Sequence, residues 1–177
     1  MEEDLLNLLK LLREKRVKYA VHDGFAVGYY SEPRATRDVD LIVLAKDIPR
    51  VQKLLPEMYR EGERYVLEMT PLYVEIWEAS SDHDLLSLKR RKAKRVMIGE
   101  EETVVYLLSP EDLIIKKLDR FSYKDRIDIR AILDSVKVNT EYIRRWVVLR
   151  RDLMRRWKEV AEDTARIDRE RREKGFL

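Results

Sequence analysis

The 177-residue chain contains no cysteine, which excludes a disulfide scaffold, cysteine-ligated zinc, an iron–sulfur site and thiol catalysis together. Its two histidines, His22 and His83, have no second histidine at ligand spacing, so neither a zinc centre nor a histidine base is expected. No apolar run approaches the ~20 residues needed to span a bilayer. The acidic start Met-Glu-Glu-Asp precedes no cleavable apolar stretch, so the expectation is no membrane and a cytoplasmic location. Neither sign of charge prevails: 37 Lys and Arg against 34 Asp and Glu give +3, too even a balance to indicate nucleic-acid binding by itself. A single Gln and two Asn beside abundant Glu, Lys and Arg suggest a heat-adapted source.

What is present is a folding composition, 45% hydrophobic and 40% charged, enough for one domain or one domain with a helical appendage. Leu5, Leu6, Leu8, Leu9, Leu11 and Leu12 recur at helical spacing and predict a helix over 2–15. Strands are expected at 17–21 and 38–44, with a short helix at 25–30 ending before Pro33. A helix over 47–58 precedes an antiparallel pair, 65–69 and 72–77, a polar helix at 82–93, and a hairpin of 95–98 with 103–108. Ser109-Pro110-Glu111-Asp112 starts a helix over 110–120, followed by 124–136. Residues 140–174 lack proline and glycine and predict one or two long helices. The division expected is 1–108 as a core and 109–177 as a helical C-terminal region.

The chemistry concentrates in DGFAVGYYSEPRATRDVDLIV (23–43) and YVEIW (73–77). Alternate residues of a strand share a face, so Asp38 and Asp40 point the same way, about 7 Å apart. Such carboxylates repel unless a cation lies between them. Glu75, polar inside an apolar strand, can add a third carboxylate or can be the outward residue of a half-exposed strand beside Tyr73 and Trp77. Oxygen ligands from two strands suit Mg²⁺ or Mn²⁺. Gly24 opens a helix whose terminal amides can bind phosphate.

Gly24, a 13-residue spacer and Asp38-Val39-Asp40 at the start of an apolar strand resemble the DNA polymerase β-like nucleotidyltransferase superfamily. The wording is especially similar to small nucleotidyltransferase-like proteins of abortive-infection and toxin–antitoxin systems, and LSPEDLIIKKLDRFSYKDRIDIRAIL (108–133) continues the likeness. The resemblance covers roughly 15–136 and implies an α+β fold: a small mixed sheet packed with helices, followed by long C-terminal helices. It further implies that Asp38 and Asp40 hold catalytic Mg²⁺ or Mn²⁺ with Glu75, which helps to activate the attacking hydroxyl. The nucleotide would meet Asp23, Gly24, Arg34, Thr36, Arg37 and Lys117. The implied reaction moves a nucleoside monophosphate from an NTP to a hydroxyl on RNA or protein. Asp23 stands where the family carries a small residue, setting a negative charge where triphosphate approaches.

Two further readings therefore stay open, a nucleotide- or partner-binding protein without transfer, and an antitoxin-like component engaging a cognate toxin. Residues 139–177 carry 12 basic and 8 acidic side chains, and Trp146 and Trp157 near one helix face fit a core or a homodimer contact through the C-terminal helices. The basic run Lys89–Arg95 is expected on a solvated helix face that an RNA phosphate track could use. Asp125 and Asp128 are expected to pair along their own helix with Lys124, Arg126 and Arg130.

Overall fold

A computed structural model describes residues 2–33, 36, 38–70 and 72–173. The chain divides into two compact units, Met1–Gly28 with Arg34–Ser109, and Tyr29–Pro33 with Pro110–Leu177.

The first unit holds seven strands, β1 (Tyr19–His22), β2 (Asp38–Leu44), β3 (Tyr59–Glu61), β4 (Arg64–Met69), β5 (Leu72–Ala79), β6 (Lys92–Ile98) and β7 (Glu101–Leu107). They form one mixed sheet in the order β3-β4-β5-β2-β1-β7-β6. Central β2 runs antiparallel to β1 and parallel to β5. Its burial alternates at the start and becomes continuous over Leu41, Ile42 and Val43, so the strand is anchored at one end and open at the Asp38 end. The Leu-rich N-terminal helix α1 (Glu2–Glu14) buries Leu5, Leu6, Leu8, Leu9 and Leu12 and packs against β6, as its spacing predicts.

Two local departures have physical causes. The helix expected over 47–58 reduces to a 3-10 turn, Ala45–Asp47, and α3 (Ile48–Leu54). Leu55 leaves the helical region at φ −127°, ψ 73°, as the residue before Pro56 must, and β3 follows as a short hairpin arm. The polar helix α4 (Asp82–Arg90) starts on a capping box between Ser81 and Asp84 and stops three residues early. Arg91 turns extended there and stacks over Tyr106, 4.6 Å from the ring centroid. The basic run is thus split between the last turn of α4 and β6, an edge strand.

In the second unit, α5 (Pro110–Arg120) packs with α6 (Tyr123–Ser135), α7 (Thr140–Val147) and α8 (Arg151–Glu173). Of the one or two helices expected at the C-terminal end, the structure has two, separated at 148–150. Arg156 of α8 donates to the carbonyls of Leu118 and Asp119 at 2.7 and 2.6 Å, satisfying end groups of α5 with a cation where the helix dipole favours one. Lys117 is buried, and its Nζ lies 2.7 Å from Asp128 Oδ2 and 3.3 Å from Asp125 Oδ1. The expectation of pairing along the helix is corrected here: the cation comes from the preceding helix, and Arg120 adds a second at 2.9 Å from Asp125. Ser122 caps α6 and bonds the same Asp125 carboxylate.

Burial pushes the Asp125 pKa up, but the Ser122 hydrogen bond and the charges of Arg120 and Lys117 outweigh it and hold the carboxyl below its ordinary 3.8. A folded value below the unfolded one means stabilisation that is present above pH 3.8 and lost as pH falls through the folded value. The thermal midpoint is expected to drop as pH falls below about 4, and Asp125→Asn to flatten that drop. Lys117→Met leaves two buried acids without their shared cation and should cost about 3–5 kcal/mol in urea denaturation. Asp128→Asn should cost less, because Asp125 still faces the ammonium.

Candidate active site

β2 and β5 pair in parallel with Asp38 opposite Tyr73 and Asp40 opposite Glu75, and the antiparallel neighbour β1 sets His22 opposite Asp40. Register partners present their side chains to the same face. His22, Asp40 and Glu75 therefore form one row across three strands, with Asp38 and Tyr73 one step nearer the open end. Asp38 and Tyr73 are exposed, Asp40 and Glu75 half-buried, and His22 buried. The helix α2 (Asp23–Tyr30) begins directly after His22, so its first turn opens from the strand residue paired with Asp40.

The local sequence accounts for this placement. β2 needs apolar Val39, Leu41 and Val43 on its other face, and all three are buried, which fixes Asp38 and Asp40 on the opposite side. The Thr36 hydroxyl donates to the Asp38 carbonyl at 3.0 Å and lies 3.4 Å from its N–H. Thr36, expected at the nucleotide, is engaged with the backbone at the start of β2. Arg34 and Arg37 lie outside the described residues.

Asp23 has φ +54°, the left-handed conformation that glycine adopts freely and aspartate more readily than most residues. The backbone of the turn is thus one a glycine would serve, although the side chain is a carboxylate. Gly24 beside it is buried and helical.

Two side chains that sequence reasoning did not assign to the site hold its carboxylates. Trp77 Nε1 donates to Asp40 Oδ1 at 3.3 Å. Arg64 of β4 stands opposite Trp77, with Nε 3.2 Å from Glu75 Oε1 and its guanidinium 6.0 Å from the Trp77 ring centroid. Arg64 also pairs with Glu61 of β3 at 2.5 Å. Its signal was in the strand pattern: pairing of Met69 with Leu72 fixes Val66 against Glu75 and Arg64 against Trp77. The acid pattern around Asp38 and Asp40 offers hard oxygen donors of the type a divalent cation takes. Among the described residues no three acidic or histidine side chains stand as a ready-made metal cage, which accords with Asp40 turned to Trp77 and Glu75 to Arg64.

Lys117 belongs to the second unit, where the two carboxylates of α6 account for its burial. Among the described residues, no helix is long and apolar enough to cross a membrane.

A mixed sheet with Asp-x-Asp on its central strand, a third acid in register beside it and a helix opening next to the pair is the arrangement of a nucleotidyltransferase-like domain. The chain belongs to the family described as nucleotidyltransferase of unknown function (DUF6036), whose model matches residues 11–172. No curated protein matches it in sequence. Among solved structures it is similar to an antigenic nucleotidyltransferase-like protein from Paracoccidioides brasiliensis, at TM-score 0.60 and 18% identity, over 94% of this chain and 89% of that one. It is also similar to the antibiotic-resistance factor ANT(2'')-Ia, at TM-score 0.59 and 14% identity, over 94% and 100% of the two chains. The same factor in complex with adenylyl-2''-tobramycin aligns at TM-score 0.58 and 14% identity, over 88% and 98%. At these identities the likeness is one of fold, and the α+β mixed sheet expected from the sequence is the fold observed.

The left-handed turn gives a direct test. Asp23→Ala and Asp23→Gly both remove the carboxylate and differ in backbone freedom. The alanine variant should be less stable than the glycine variant by about 1 kcal/mol in urea denaturation.

Proposed function

We propose that this protein is a divalent-metal-dependent nucleotidyltransferase that moves a nucleoside monophosphate from an NTP to a hydroxyl on RNA or protein. The observation that carries this reading is the row in which Asp40 stands in register with Glu75, beside Asp38 and the opening of α2. Asp38 and Asp40 would hold the cation, Mg²⁺ or Mn²⁺, with Glu75 as the third oxygen donor. When bound, the cation supplies charge stabilisation at the α-phosphoryl group.

The chain's own residues divide the remaining work. The first amides of α2, Gly24 among them, offer donors and the positive helix end to the triphosphate. Glu75, in the carboxylate row, is the group placed to accept the proton as the acceptor oxygen bonds to the α-phosphorus and the bond to the β-phosphate oxygen breaks, releasing pyrophosphate. Trp77 keeps Asp40 oriented through its indole N–H. Thr36 holds the backbone from which Asp38 projects. Arg34 and Arg37, which precede β2 in the sequence, are assigned to the phosphates by their charge and place in the sequence.

Asp23 favours a second reading, a nucleotide-binding protein of the same fold that performs no transfer. Its carboxylate sits at the mouth of the phosphate-binding turn, where a charge of the same sign as the ligand opposes binding. A cognate toxin or antitoxin partner belongs to this reading.

Pure protein incubated with each α-labelled NTP and Mg²⁺ or Mn²⁺, with and without total RNA, should place label on RNA or on protein. Asp38→Ala and Asp40→Ala should each lower transfer by at least about 100-fold with an unchanged circular dichroism spectrum. Transfer at wild-type rate in either variant overturns the assigned roles. Nucleotide binding without label in any arm selects the second reading, and Asp23→Gly is then the variant in which transfer should emerge.

A further inference from the structure

Arg64 lies on a strand that no motif marks, yet it is paired with the third carboxylate. Its Nε stands 3.2 Å from Glu75 Oε1, its guanidinium faces Trp77, and Trp77 in turn holds Asp40. Glu61 anchors Arg64 from β3. One arginine is thus in contact with one acid of the row and with the aromatic residue that orients another. The pair is only partly open, with Glu75 19% and Arg64 35% exposed, so solvent screens it less than a surface pair.

Like charges in register on adjacent strands cannot gather without a counter-cation. A divalent ion and a guanidinium compete for the negative charge of Glu75, and the arginine already engages its Oε1. Resting on the reading of Asp38, Asp40 and Glu75 as a cation site, we propose that Arg64 is its built-in competitor. It is a positioning residue that occupies Glu75 while the site lacks a cation and raises the metal concentration at which all three carboxylates engage. Displaced from Glu75, the guanidinium remains tethered by Glu61 beside the site. The consequence is a site that fills in graded fashion, Asp38 and Asp40 first and Glu75 only after the arginine yields.

Mn²⁺ binding, followed by calorimetry and by the electron paramagnetic resonance signal of free Mn²⁺, tests this without any turnover. Arg64→Gln should bind Mn²⁺ about fivefold or more tightly than wild type, the factor expected for losing a partly screened competing charge. Arg64→Lys, which retains the charge, should stay near the wild-type affinity. In an Arg64→Gln, Glu75→Gln double variant the gain should vanish, because Arg64 acts through Glu75. Circular dichroism melts show that each variant is folded. Unchanged or weaker binding in folded Arg64→Gln, or a gain that survives Glu75→Gln, overturns the role of Arg64 and leaves the metal reading standing, provided Asp38→Asn abolishes wild-type binding. Absence of Mn²⁺ binding in both wild type and Arg64→Gln removes the metal reading and the competition together.

Discussion

The structure depends on one juxtaposition, the parallel pairing of β2 with β5. It sets Asp40 in register with Glu75, an unfavourable juxtaposition of like charges that the rest of the first unit is arranged to tolerate. The buried face of β2 fixes the direction of Asp38 and Asp40, the β4–β5 hairpin delivers Arg64 to Glu75, and Trp77 ties Asp40 through its indole. A sheet built for stability alone would place apolar side chains in that row. The cost accepted there is characteristic of a site, and it is met by burial elsewhere, in Leu12, Tyr19, Leu41, Ile42 and Ile76, all fully enclosed.

Much of this was legible from local pattern. Alternation along 38–44 and 72–77 gives the strands and the outward direction of Asp38, Asp40 and Glu75, because strand period and buried face are local properties. What could not be read is which strands are neighbours. The parallel match of Asp40 with Glu75 joins residues 35 apart, and no local signal fixes such a register. Arg64 is an intermediate case: the tight connection between β4 and β5 determines its partner, but an arginine in a half-exposed strand has no signature until the third acid is known to lie beside it. The helix ends were misjudged where a single residue decided them, Leu55 before Pro56 and Arg91 over Tyr106. Each is a contact or steric effect rather than a periodicity.

The second unit uses charge in the opposite sense. Lys117 is enclosed between Asp125 and Asp128, so a cation that the motif offers to a nucleotide is matched by two acids within its own helical unit. Buried pairs of this kind add little net stability compared with apolar residues, yet removing one member is severe. They fix which faces of α5 and α6 meet, since any rotation of either helix would strand a charge. Ser122 joins both functions by capping α6 and binding the acid that meets Lys117.

The outer strand β6 carries Lys92, Lys94 and Arg95, and among the described residues its edge faces no further strand. If a second copy docked there to extend the sheet, it would bring these cations against their own counterparts, and like charges opposed across a strand pair are destabilising. The sheet thus closes itself electrostatically on that side.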